Sequence, residues 1–205
     1  MNSSLVSSSQ MRAMEEKAFA RGIEAEALMD QAGAGIAAAV QQFFLDPGYC
    51  IVYSGKGNNG GDALVAAAHL QRAGWSVDVR LAFPESESGE LMRKKLESLR
   101  NLESGRGLGA PTVATQRSLP PCLTIILDGL LGLGAKPPLR EPIRGACREI
   151  NRLRREEGAF VFAVDLPTGL DGDSGASLIH QGFRVDAARE SFSFHRPHLG
   201  RAHER

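Results

Sequence analysis

The segment Gly55-Lys56-Gly57-Asn58-Asn59-Gly60-Gly61-Asp62 constrains this chain more than any other. It lies between an apolar run, Cys50-Ile51-Val52-Tyr53-Ser54, and an alanine-rich stretch, Ala63 to Arg72. A short β-branched and aromatic run, then glycines, then a helical pattern spells a strand, a tight loop and a helix N-terminus, with the helix expected to begin near Asp62. Such a junction offers backbone N–H groups and the positive end of a helix dipole, so it attracts anions. A loop that only cradled an anion would need no side chains. This one carries two amides and a carboxylate, so Asn58, Asn59 and Asp62 predict recognition as well as support.

The same strand, loop and helix logic recurs along the chain. Trp75 to Phe83 alternates, with Val77, Val79 and Leu81 on one face, which completes a strand–helix–strand unit of parallel strands with a right-handed crossover. Cys122 to Leu127 ends in Asp128 and a second glycine-bearing loop, and Phe160 to Val164 ends in Asp165 and the loop 165–173. Helices are predicted over Met11 to Ala20, with Ser8 or Ser9 placed to cap it, and over Ala25 to Phe44, where Ala32, Gly35 and Ala39 would let another backbone approach closely, although plain helix packing is the favoured reading of them. Two more fall over Leu91 to Leu102, with Met92, Leu96 and Leu99 in register, and over Pro142 to Arg155, with Ile143, Ala146, Cys147, Ile150 and Leu153 on one face. Ser104 to Ala110 reads as loop, Thr112 to Thr115 as a short strand, Leu119-Pro120-Pro121 as a break, and Ser191 to Phe194 as a last strand. The fold class is therefore α/β, with a mostly parallel sheet.

Composition narrows the function. With 205 residues and 42% apolar content, residues 1–205 fit a single domain with a well-buried core. Residues 1–9 read as a frayed start and 195–205 as a shortened tail. Lys plus Arg equals Asp plus Glu at 24 each, so no general field draws nucleic acid or an acidic membrane. Cys50, Cys122 and Cys147 are odd in number and lack metal or disulfide spacing, which suits a reducing, cytoplasmic compartment. No apolar run approaches membrane-spanning length.

In an open α/β sheet, ligands sit beyond the carboxyl ends of the strands, where the strand order reverses. Loops 55–62, 128–134 and 165–173 are expected to converge there, bringing Asp62, Asp128 and Asp165 together. Without histidine or cysteine among them a transition metal is not indicated, whereas Asn59, Asp128 and Thr168 carry the oxygens a hard cation accepts. The same residue types also stabilise turns, and spacing does not choose between these readings. The first loop formally matches GxGxxG with Asp78 downstream, but Asp78 falls inside a strand and the amides replace the usual small residues. The phosphate-binding P-loop pattern fails, since Gly61 and Asp62 stand where Lys and Ser or Thr belong.

Taken together, Asn58-Asn59-Gly60-Gly61-Asp62, Asp128 with its glycine loop, Asp165-Leu166-Pro167-Thr168-Gly169-Leu170, Met11-Arg12 and Leu28 to Gly33 resemble the YjeF N-terminal domain family of NAD(P)H-hydrate epimerases. The resemblance runs from about Met11 to Gly200. It implies a Rossmann-like three-layer αβα sandwich, often dimeric, that interconverts the R and S forms of hydrated NADH or NADPH. A companion dehydratase that accepts only the S form can then restore the cofactor pool. By position, Asn58, Asn59, Gly60, Gly61 and Asp62 would contact the substrate, and Gly132, Leu133, Gly134, Ala135, Lys136, Pro137 and Pro138 would line its phosphates. Asn59, Asp128 and Thr168 would hold a potassium ion. Asp165 would touch the hydrated ring or its ribose and is the candidate for proton transfer; the alternative for it is an orienting hydrogen bond. The chain departs from the family in Ala63 for Gly, Thr168 for Ser, and His198-Leu199-Gly200 where a Lys-Pro-Gly segment is usual. A shortened active enzyme, a fragment of a longer one and a non-catalytic scaffold that binds nucleotides or proteins all fit that end. The retained amides and carboxylates favour the enzyme.

Overall fold

Four parallel strands order themselves β2-β1-β3-β4 in the computed structural model, which describes residues 7–104 and 123–178. In chain order the elements are α1 (Ser8–Ala20), α2 (Ala25–Phe43), β1 (Tyr49–Ser54), α3 (Asn58–Arg72), β2 (Ser76–Leu81), α4 (Glu90–Ser104), β3 (Thr124–Gly129), α5 (Glu141–Glu156) and β4 (Phe160–Ala163). The expected strands 112–115 and 191–194, the break 119–121, Cys122 and His198 lie outside the described residues, as does the expected loop 104–110 apart from Ser104, which ends α4.

Alternation along the strands divides the core in two. Cys50, Val52, Ile125 and Leu127 face one way and pack with α2, α3 and α4 through Val40, Leu64, Leu70, Met92, Leu96 and Leu99. Ile51, Tyr53 and Ile126 face the other way, onto Ile143, Cys147, Ile150 and Leu153 of α5. The result is the three-layer αβα arrangement that the sequence implied. Since both faces are covered, β1 and β3 read as continuous apolar runs rather than as clean alternations. Cys50 and Cys147 are buried thiols within these layers, and burial pushes both well above the ordinary thiol range. Among the described residues no helix is long and apolar enough to cross a membrane.

Three expectations are corrected. The start of α1 is ordered earlier than Met11: Ser7, not Ser8 or Ser9, is the cap, and it forms a reciprocal capping box with Gln10. Residues 7–9 are thus not frayed. In α2 the face turned inward is Met29, Gly33, Ala37 and Val40, not Ala32, Gly35 and Ala39. At Gly33 α3 comes so close that a methyl would meet the Val65 side chain and stand 2.9 Å from Ala66 N. With small residues at nearly every position, the pattern could not say which stripe turns in. Finally, α3 starts at Asn58 rather than near Asp62, with Gly57 as its cap, so Asn58, Asn59 and Asp62 project from a helix rather than from a loop.

Asp78 lies mid-strand in β2 and is spent on structure. Arg80 donates to its Oδ2 at 3.0 Å, to Tyr53 Oη at 2.9 Å and to Glu149 Oε1 at 2.7 Å, tying β2, β1 and α5 together. It is therefore not the ribose-binding acid of a dinucleotide fingerprint.

Candidate active site

The chain leaves β1 towards β2 on one side and later passes to β3 and β4 on the other, so the strand order reverses between β1 and β3. The carboxyl ends of these two strands open a crevice there. Backbone contacts draw its walls tight. Gly55 N donates to Gly129 O at 3.0 Å, and a methyl on Gly129 would stand 2.5 Å from Ala63 Cβ and 3.0 Å from Asn59 O. Gly129 thus leaves room for the Ala63 methyl.

All three expected loops meet at this rim. A methyl on Gly132 would lie 2.5 Å from Asp165 Oδ2 and 3.4 Å from Asn59 Oδ1, so residues from the ends of β1, β3 and β4 border one point. Leu133 N donates to Asp165 Oδ2 at 2.9 Å, fixing one oxygen of an otherwise exposed carboxylate.

Behind them Asp128 and Thr168 form a buried lock. The Thr168 backbone N–H donates to Asp128 Oδ2 at 2.8 Å and its hydroxyl to Oδ1 at 2.7 Å; Leu130 N adds a bond to Oδ1 at 3.3 Å. Leu131 N in turn donates to Thr168 Oγ1 at 3.2 Å. Asp128 is only 5% exposed and no cation pairs with it among the described residues. Burial raises its pKa, and the bonds from Thr168 and Leu130 oppose that rise without cancelling it.

The structure does not bring every expected residue to that point. Asn58, Gly134, Lys136, Pro137 and Pro138 are exposed, the last two joined by a cis peptide in the turn leading to α5. Ala135 N closes a turn on Gly132 O at 3.1 Å. The Asn59 side chain is turned towards Gly132, and its buried Nδ2 has no hydrogen-bond partner among the described residues.

Two residues escaped the sequence reading. Helix α1 buries none of its side chains yet spans the rim: Ser8 N donates to Asp173 Oδ1 at 2.7 Å and Arg12 Nη2 to Leu133 O at 3.4 Å. One turn on, Glu15 lies close enough to Asp62 to raise its pKa. Arg12 and Glu15 share one helical face, a spacing visible in the sequence, but nothing local says where that face docks.

A parallel sheet covered by helices on both faces, with glycine-built walls at its switch point and Asn59 and Asp165 bordering them, is the architecture in which open α/β proteins place small-molecule sites. Over residues 25–200 the sequence matches the family described as YjeF-related protein N-terminus, and the chain belongs to that family. It is 35% identical to the bifunctional NAD(P)H-hydrate repair enzyme Nnr of Archaeoglobus fulgidus, over 97% of this chain and 39% of that protein. It is also 32% identical to the NAD(P)H-hydrate epimerase of Caenorhabditis briggsae, over 84% of this chain and 68% of that one. The crystal structure of the yeast protein ynu0, YNL200c, superposes with a TM-score of 0.66 at 26% identity, covering 82% of this chain and 72% of the yeast chain. The chain thus spans well under half the length of the bifunctional relatives.

Proposed function

We propose that this chain is an isomerase, an NAD(P)H-hydrate epimerase that interconverts the R and S forms of hydrated NADH or NADPH in nicotinamide cofactor repair. The names of its relatives support the activity. The observation that carries it here is the meeting of Asn59, Gly132 and Asp165 at one point of the switch-point crevice. The N–H groups at the start of α3 suit the substrate's phosphates, as does the turn from Gly132 to Pro138. Asp165 keeps one oxygen bound to Leu133 N and the other available to take up a proton during the reaction. The reading brings with it a homodimer, a reducing cytoplasmic setting and a functional link to a dehydratase specific for the S form.

The test is a coupled one. With a racemised mixture of hydrated NADH and an S-specific dehydratase, adding this protein is expected to carry repair to completion. A stall at the S fraction would make the chain a binding scaffold instead.

A potassium ion fits the donor set of Asp128, Thr168 and Asn59. The buried carboxylate of Asp128 lacks a cation among the described residues, and the amide of Asn59 has a buried, unpartnered end that presents oxygen once the group turns over. When bound, the ion would neutralise Asp128 and fix the loops after β3 and β4 against an anionic substrate. Replacing tetramethylammonium chloride by potassium chloride is expected to raise the Tm, by the equivalent of about 2.7 kcal/mol at a hundredfold excess over Kd. Equal melting in both salts would remove the ion from the proposal.

A further inference from the structure

We propose that Asp62 is a second catalytic residue of this site, the acid that works opposite Asp165 as base, and not only a substrate contact. The inference rests on the epimerase reading given above.

Asp62 follows Asn59 by one turn of α3 and shares its side of the helix, and the Asn59 amide borders Gly132 together with Asp165. Its side chain is half-buried, and it takes no hydrogen bond and no ion pair among the described residues. That sets it apart from Asp128, whose oxygens already accept hydrogen bonds from Thr168 and Leu130. The charged groups around Asp62 come from two other elements. Asp165, after β4, and Glu15, on α1, both repel its ionised form, while Arg12 on α1 is turned to Leu133 O. Burial is the largest cause, followed by Asp165 and then Glu15, and together they push the Asp62 carboxyl up to about 6. A half-buried carboxyl with no hydrogen-bond donor among the described residues keeps its proton more readily than a solvated one, which suits Asp62 to the acid's part.

The reaction needs such a pair. The reacting carbon bears a hydroxyl and the ring nitrogen. Asp62 gives its proton to the hydroxyl, and the C–O bond breaks with both electrons going to oxygen. Water leaves as the nitrogen lone pair forms a C=N⁺ bond. Water then adds to the opposite face of the planar carbon, the π electrons return to nitrogen, and the excess proton passes to Asp165. Composition is unchanged and the centre is inverted. Running backwards, the two carboxyls exchange roles, so a reversible epimerisation is served by two groups of the same chemistry better than by an acid and a base of very different strength.

The experiment measures R-to-S interconversion by the full chain, using separated NADH hydrate epimers and chromatographic readout, alongside binding of the same epimers. Asp62→Asn is expected to lower kcat by about 100-fold or more with KM and Kd changed less than about threefold. Asp62→Glu should recover part of the rate. Folding is controlled by melting: because ionised Asp62 is disfavoured in the folded chain, Asp62→Asn should melt at or above the wild type at pH 7.5. A variant with wild-type kcat, or one in which only KM rises, would reduce Asp62 to a substrate contact and overturn the proposal. A wild-type chain that binds the epimers without interconverting them would overturn the epimerase reading and this inference together.

Discussion

Asp165→Asn is expected to slow R-to-S interconversion by about 10²- to 10⁴-fold, the usual worth of a positioned proton-transfer group, while leaving nucleotide binding close to normal. The structure makes the substitution clean. Leu133 N donates to Asp165 Oδ2 at 2.9 Å, and an asparagine keeps an oxygen for that bond, so the loop after β3 retains its anchor. Gly132 lies directly against the same carboxylate, and the isosteric amide fills the same space. What disappears is the capacity to take up a proton. Rates measured by separating the two epimers, with binding followed by calorimetry, decide the matter. A fully active variant would leave Asp165 as an orienting group and return the chemistry to positioning alone.

Gly55→Ala is expected to cost about 2–3 kcal/mol of stability, at the upper end for overpacking. Its methyl would run into the Leu130 carbonyl oxygen and come within 2.9 Å of the carbonyl carbon, and these are backbone atoms that cannot rotate away. The bond from Gly55 N to Gly129 O at 3.0 Å pins the same place, so relief means parting β1 from β3 at the mouth of the site. Gly134→Ala is the control, since nothing stands within 4 Å of the position its methyl would take. Urea denaturation should show a lower midpoint for the first and almost none for the second. Equal midpoints would mean that the rim yields, and the site would lose its claim to a rigid wall.

Much of the fold could be read locally. Val77, Val79 and Leu81 share one face of β2 as alternation required, and Ile143, Cys147, Ile150 and Leu153 of α5 turn inward as helical spacing required. Asp128 and Asp165 stand at or just beyond strand ends because an apolar run gives way to a carboxylate there. The site was legible as three loops and a set of oxygens. Its internal division was not: Asp128 and Thr168 are locked together, Asn59 and Asp165 meet at Gly132, and the turn from Lys136 to Pro138 stays in solvent.

The chain's own order of residues determined which segments become strands and helices and which residue types end them, because those choices depend on neighbours a few positions away. Tertiary structure decided that β1 sits between β2 and β3, that Gly33 and not Gly35 receives α3, and that α1 lays Arg12 against Leu133 and Ser8 against Asp173. Each of these joins groups far apart in sequence, and their proximity comes from packing two apolar faces of one sheet, which no local pattern specifies.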